Sequence, residues 1–245
     1  MFEVVTTFHQ EKHGYFADNM LKTFEQYWPK SINIFAYVEN KKQTYKYNKN
    51  IIIKDFDDIS SNFKLFEFNY KSKEANTNNK SYKFQAIRFA HKIFAILAHL
   101  SQCKSEFLIW LDSDVISVNK LSEEFLSQFT GPDIYFSYLG RDYINFHSEA
   151  GFMIFNTKNS FHNIFWDEMR EMYINGKLFN EKEWHDSFIF DVVRKKLEIK
   201  NMKSLDISSF GLKKGSDPLE VLDNSELGKY LRHLKGKRKV LATNL

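Results

Sequence analysis

Apolar and polar positions along this chain follow two periods, and the switches between them mark its elements. Residues 2–8, FEVVTTF, read as a strand, residues 9–14 as a polar loop, and residues 15–27 as an amphipathic helix. Residues 32–38 and 51–53 are two more apolar runs of strand length, separated by a lysine-rich stretch. Strands and helices in this order favour parallel pairing through crossover connections. Residues 69–80, NYKSKEANTNNK, are polar and asparagine-rich, the pattern of a surface loop. Residues 83–100 place Phe84, Ile87, Ala90, His91, Phe94 and Leu97 at helical spacing, with Arg88 and Lys92 four apart on another face.

The apolar run 107–111 then ends abruptly in Asp112-Ser113-Asp114. Beyond it the pattern predicts a helix near 121–129, a strand at 134–138, a polar link, a strand at 151–156 and helices at 160–173 and 185–197. After residue 200 the periodicity weakens, with short strands near 203–207 and 219–222 and a last short helix at 225–231.

Composition narrows this picture. At 245 residues, with 43% hydrophobic and 17% aromatic positions, the chain can bury a sizeable core and is not a disordered or collagenous sequence. Nine glycines and three prolines leave no long flexible linker, so a single domain over 1–245 is expected. The lone Cys103 excludes an internal disulfide framework and any cysteine-based zinc cluster. No basic leader with an apolar core opens the chain and no run approaches ~20 apolar residues, so a soluble, cytoplasmic protein is the expectation. A formal charge of +4 is too modest to argue for nucleic acid. Its distribution matters more, because six of the eleven residues 229–239 are basic.

The candidate chemistry sits on that background. Residues two apart on extended backbone share a face, and two carboxylates side by side repel unless a cation or proton lies between them. Asp112 and Asp114 therefore suit a hard divalent cation, Mg2+ or Mn2+, which commonly combines protein carboxylates with substrate phosphate oxygens. The plain alternative is that the pair solvates the end of a strand. Ligands of open α/β sheets gather at the carboxyl ends of strands, which would bring residues 6–9 and 112–114 to one cleft. At the far end of the chain, His233-Leu-Lys-Gly236-Lys-Arg-Lys239 offers an imidazole ligand, a glycine for close backbone approach and cations for phosphate. The same basic cluster could meet an anionic membrane surface.

Taken together, D-x-D after a hydrophobic strand and H-x-x-G-x-x-K about 120 residues later resemble the retaining nucleotide-sugar glycosyltransferases of family eight, the glycogenin-like and galactosyltransferase-like enzymes. The resemblance covers most of the chain as short ordered blocks. Residues 5–15, VTTFHQEKHGY, are similar to the first strand and loop that hold the nucleotide base; residues 149–156, EAGFMIFN, to an N-A-G segment; and residues 184–191, WHDSFIFD, to a segment with an Asp-Gln pair beside the donor sugar. It implies an α/β fold of the GT-A type, a single Rossmann-like domain with a mixed, mostly parallel central sheet flanked by helices. Its nucleotide-binding half would be 1–118, and its acceptor half with the metal- and phosphate-binding tail 119–245.

It implies further that Mn2+ or Mg2+ is held by Asp112, Asp114 and His233. Thr7, Phe8, His9, Tyr15, Arg88, Asp112, Ser113, Gly236 and Lys239 would contact a UDP-sugar donor, and Asp186, Lys92 and Arg88 would act at the reacting sugar. The acceptor would be a saccharide or another hydroxyl compound; sequence fixes neither it nor an oligomeric state. Three departures stand out. Val240 follows Lys239 in place of Pro-Trp, Glu149 replaces the asparagine, and Ser187 replaces the glutamine. Two further readings stay open. Asp112-Ser-Asp114-Val-Ile is close to the nucleophile motif of haloacid-dehalogenase-type phosphatases, with Asp112 as nucleophile, and a non-catalytic sugar-nucleotide-binding module would share the same fold. Asp186 could equally be a helix N-cap, Arg88 and Lys92 a solvated helix face, and His91 a packing histidine.

Overall fold

A run of eight strand residues passes directly into helix at the start of the chain: β1 (Phe2–His9) is followed without a loop by α1 (Gln10–Tyr27). His9 makes this junction, its Nδ1 accepting from Lys12 N at 3.4 Å as an N-cap. The loop expected over 9–14 is therefore the first turns of α1, whose buried stripe of Ala17, Met20, Leu21 and Phe24 begins only later. The structure, a computed structural model, describes residues 1–42, 46–77, 81–211 and 217–235.

β2 (Asn33–Glu39) and β3 (Ile51–Asp55) precede α2 (Ser61–Ala75). This helix occupies much of the stretch expected as a loop. Its polar residues face outward, and it packs through Phe63 and Phe66, with Tyr70 partly buried behind them, at the i, i+3, i+7 spacing of one helix face. A 3-10 turn at Tyr82–Phe84 leads into α3 (Ala86–Leu100), then β4 (Phe107–Leu111) and β5 (Val115–Ser117). The remaining elements are α4 (Glu123–Ser127), β6 (Ile134–Leu139), β7 (Glu149–Asn156), α5 (Ser160–Tyr173), α6 (Asp186–Glu198), β8 (Lys203–Asp206), α7 (Val221–Asn224) and β9 (Leu231–His233). The strand expected at 219–222 is helical, and the helix expected at 225–231 is a 3-10 turn, Glu226–Lys229, running into β9.

Seven strands form one mixed sheet in the order β3-β2-β1-β4-β7-β6-β8. β3, β2, β1 and β4 run parallel, β7 is antiparallel to both β4 and β6, and β8 is parallel to β6. Alternation along β4 divides the core. Leu108 and Trp110 join the layer under α2, α3, α5 and α6, whereas Ile109 and Leu111 join the layer under α1, with Phe152 of β7 fully buried among them. Truncating such a phenylalanine costs about 3–5 kcal/mol.

This topology selects one edge of the sheet. Parallel β1, β2 and β4 end there, and antiparallel β7 begins there, so the carboxyl end of β4 meets Glu149–Gly151. A separate two-stranded pairing, β5 with β9, brings Val115 opposite His233. Among the described residues no helix is long and apolar enough to cross a membrane.

Candidate active site

A cleft of about 1500 Å³ opens along this edge, and its wall includes Thr7, Phe8, His9, Glu39, Asp112, Ser113 and Asp114. The two aspartates do not lie on extended backbone. β4 stops at Leu111, and Val115 N donates to Asp112 O at 3.0 Å, closing a turn. It is this turn, not strand alternation, that sets Asp112 and Asp114 side by side.

Asp112 is held through one oxygen. Its Oδ1 accepts from Trp110 Nε1 at 2.6 Å and lies 2.9 Å from Lys92 Nζ, while Oδ2 is 3.9 Å from His233 Nε2. His233 Nε2 is also 3.0 Å from Asp114 Oδ1, so ligand atoms of Asp112, Asp114 and His233 lie within 4.8 Å of one another. β5–β9 pairing delivers the imidazole, and Asp223 Oδ1 accepts its backbone N–H at 2.8 Å. Gly151 gives it room, since a Cβ there would come within 2.6 Å of the His233 ring.

On its other nitrogen, His233 Nδ1 donates to Glu149 Oε1 at 2.5 Å, and Lys235 Nζ lies 2.8 Å from Glu149 Oε2 as an ion pair. Burial disfavours the imidazolium, but Asp114 and Glu149 outweigh it and lift His233 to about 9. Burial likewise opposes the Glu149 charge, yet His233 and Lys235 prevail and hold it down to about 2. The residue standing where the resembled family has asparagine is thus a carboxylate turned onto the candidate metal-binding histidine.

Lys92 reaches the same floor from α3. It is 9% exposed, sits 2.5 Å from Asp186 Oδ2 and 2.9 Å from Asp112 Oδ1, and donates to Ala150 O at 2.9 Å over the face of Trp110. Burial works against the ammonium, but Asp112 and Asp186 outweigh it and raise its pKa. Asp186 is buried in the first turn of α6 and spends its carboxylate on Lys92; the N-cap is His185. Arg88, one turn before Lys92, is exposed on the cleft wall and donates to Gln85 Oε1 at 3.1 Å. Arg88 is thus solvated whereas Lys92 is buried, and both border the cleft.

Of the other sequence candidates, Thr7 Oγ1 donates to Tyr37 O at 2.7 Å, and Phe8 is buried at the cleft wall. Tyr15 is not part of that wall: the early start of α1 carries it to an exposed position against Phe16. Ser187 borders the cleft beside Asp186. His91 packs on Phe63 with ring centroids 4.1 Å apart, and borders the cleft as well. Gly236 and Lys239 lie outside the described residues.

Sequence reasoning missed Glu39, Trp110 and Lys235. Burial pushes Glu39 up to about 7 and neighbouring His91 down to about 4. Glu39 was within reach of the rule that strand ends line clefts, because β2 ends beside β1. Trp110 carries no chemical motif, and Lys235 was hidden in a basic run.

No protein-family model matches this sequence, and no curated protein matches it. Solved structures do match in shape. The galactosyltransferase LgtC, in complex with donor and acceptor sugar analogues, aligns with a TM-score of 0.53 at 13% identity over 96% of this chain and 87% of that one. The bifunctional glycosyltransferase WbbM aligns with a TM-score of 0.51 at 13% identity over 99% of this chain, which spans 44% of that protein. The chain has the α/β fold of GT-A-type glycosyltransferases.

Proposed function

We propose that this protein is a metal-dependent glycosyltransferase, resembling family eight, that moves a hexose from a nucleoside diphosphate sugar to a hydroxyl acceptor with retention. UDP is the favoured carrier. The observation that supports the reading is the meeting of Asp112, Asp114 and His233 on the floor of one cleft, beside the Lys92–Asp186 pair. Two carboxylates and an imidazole suit Mn2+ better than Mg2+, which favours an all-oxygen shell. The space left by Gly151 and the orientation imposed by Glu149 fit a ligating His233.

When bound, the cation would neutralise the donor diphosphate and stabilise it as a leaving group. The chain's own residues do the rest. Thr7, Phe8, His9 and Glu39 would meet the nucleoside, and Ser113 with Asp112 the ribose. Arg88, Lys235, Lys239 and the amide of Gly236 would face phosphate oxygens. Asp186 would grip sugar hydroxyls or favour oxocarbenium character at the anomeric carbon. Lys92, touching both Asp112 and Asp186, holds the metal-side and sugar-side carboxylates in one geometry.

Thermal shift with UDP, GDP and their sugars, with and without Mn2+, tests the donor class, because a ligand that binds the folded state alone raises Tm. A Mn2+-dependent shift with UDP-sugars is expected, together with UDP release that EDTA, Asp114→Asn and His233→Ala each abolish. Undiminished turnover in either variant would remove the metal assignment.

A further inference from the structure

A second set of donor atoms converges on the wall of the same cleft, apart from Asp112, Asp114 and His233. His147, Glu183 and His185 offer ligand atoms within 4.8 Å of one another. Glu183 Oε2 is hydrogen-bonded to His185 Nε2 at 2.9 Å, a proton that an ion would replace, and lies 3.1 Å from His147 Nε2. His147 Nε2 is shielded from solvent and has no hydrogen-bond partner among the described residues, so its contact with Glu183 lies off the axis of a hydrogen bond. A buried imidazole nitrogen without a partner is costly. Close, off-axis contact is, however, the relation between two donor atoms on one ion: tetrahedral bonds of about 2.0–2.1 Å set donors roughly 3.3 Å apart.

The surroundings hold these three side chains in place. Arg141 Nε donates to His147 O at 2.6 Å, and the adjoining Ser148 N and Oγ donate to Asp191 at 2.8 and 2.7 Å. Lys83 Nζ fixes the other oxygen of Glu183 at 2.7 Å, and Trp184 N donates to Lys83 O at 2.7 Å. The His185 ring is buried against Tyr82 and Phe89, edge-on to His147 with centroids 4.6 Å apart. Ligands positioned before binding in this way pay little to organise around an ion.

We propose that His147, Glu183 and His185 form a transition-metal site, separate from Asp112, Asp114 and His233, that takes a zinc-class ion. Two imidazoles and one carboxylate select such ions over Mg2+ or Ca2+, whose preferred donors are oxygens. His147 and His185 both border the cleft, so a fourth position can face it. His185 is followed directly by Asp186, the partner of Lys92, so the ion ties the 141–148 segment to the start of α6 and steadies the carboxylate beside the candidate sugar site.

The test is calorimetric titration of the full chain with Zn2+ in the Asp112→Asn, Asp114→Asn, His233→Ala background, which removes the first cluster. One equivalent of Zn2+ is expected to bind, with affinity falling on the order of 100-fold or more when His147→Ala is added. X-ray absorption of the zinc-loaded chain should show two imidazoles and a carboxylate oxygen. This measurement stands even where His147→Ala proves unfolded by circular dichroism. No binding in that background when circular dichroism shows it folded, binding indifferent to His147→Ala in a folded protein, or an absorption spectrum without two imidazoles would each overturn the proposal.

Discussion

Gly151 and His233 lie so close that a β-carbon on Gly151 would stand 2.6 Å from both Cε1 and Nδ1 of the imidazole. The ring cannot retreat easily, because Glu149 and Asp114 grip its two nitrogens. Gly151→Ala should therefore displace His233, costing about 1–3 kcal/mol of stability as an overpacked site and roughly tenfold or more in Mn2+ affinity. Denaturant unfolding and Mn2+ titration followed by electron paramagnetic resonance measure both. Wild-type Mn2+ affinity in a folded Gly151→Ala protein would show that the close approach is irrelevant to the metal.

Glu149 would act on a cation at this site through its contact with His233. Glu149→Gln keeps an acceptor for the Nδ1 proton but gives up the charge that Lys235 and His233 share. Mn2+ affinity should fall about 10–100-fold, as it does when outer carboxylates of metal-bound histidines are neutralised. A change of less than twofold would mean that the carboxylate only fills space.

Lys92 is the single cation between Asp112 and Asp186 in the contacts described above, and it is almost inaccessible to water. Removing one partner from a buried ion network leaves charges uncompensated, so Lys92→Met should destabilise the fold by about 3–5 kcal/mol. Urea unfolding at neutral pH measures it. A loss below about 1 kcal/mol would be the figure for a surface pair and would contradict the burial of this one.

Glu39 makes stability pH-dependent in an unusual direction. Burial lifts its folded pKa to about 7, above the ordinary 4.5, so the folded state holds a proton that the unfolded chain has released between those values. Its contribution is complete below about pH 4.5 and is lost as pH rises through 7, a span on the order of 3 kcal/mol. His91, held down to about 4 by burial, acts in the opposite sense, its contribution being lost as pH falls from 6.5. His91 Nε2 lies 3.3 Å from Glu39 Oε2, so the two titrations are read together when wild type is compared with Glu39→Gln. The variant should match wild type near pH 4 and exceed it at pH 8. Parallel stability curves across that range would refute the shift.

The sequence was legible where a local pattern determined the outcome. β4, entirely buried, and α5, with a clean apolar stripe, follow directly from apolar runs and helical period. α2 was obscured because its outward face is lysine- and asparagine-rich and only Phe63, Phe66 and Tyr70 report its period. The β5–β9 pairing escaped because three-residue strands lack periodicity and their partners are far apart. At the candidate site, residue types announced Asp112, Asp114 and His233. Lys92 was visible as a basic residue before the aspartate strand, but its burial was not, since an amphipathic pattern does not show which cation faces a carboxylate. Glu149 looked like a replaced asparagine, and its contact with His233, 84 residues away, is a tertiary fact that no local signal carries.

The junction of β5 with β9 also has a meaning in time. Asp114 and His233 are 119 residues apart, and a ribosome adding about 5–20 residues per second needs roughly 6–24 s to pass from one to the other. Throughout that interval the emerging chain can assemble much of its central sheet, yet it lacks the imidazole that completes the candidate cation cage. The candidate cation cage is therefore complete only once residues 231–233 have been translated and paired with β5.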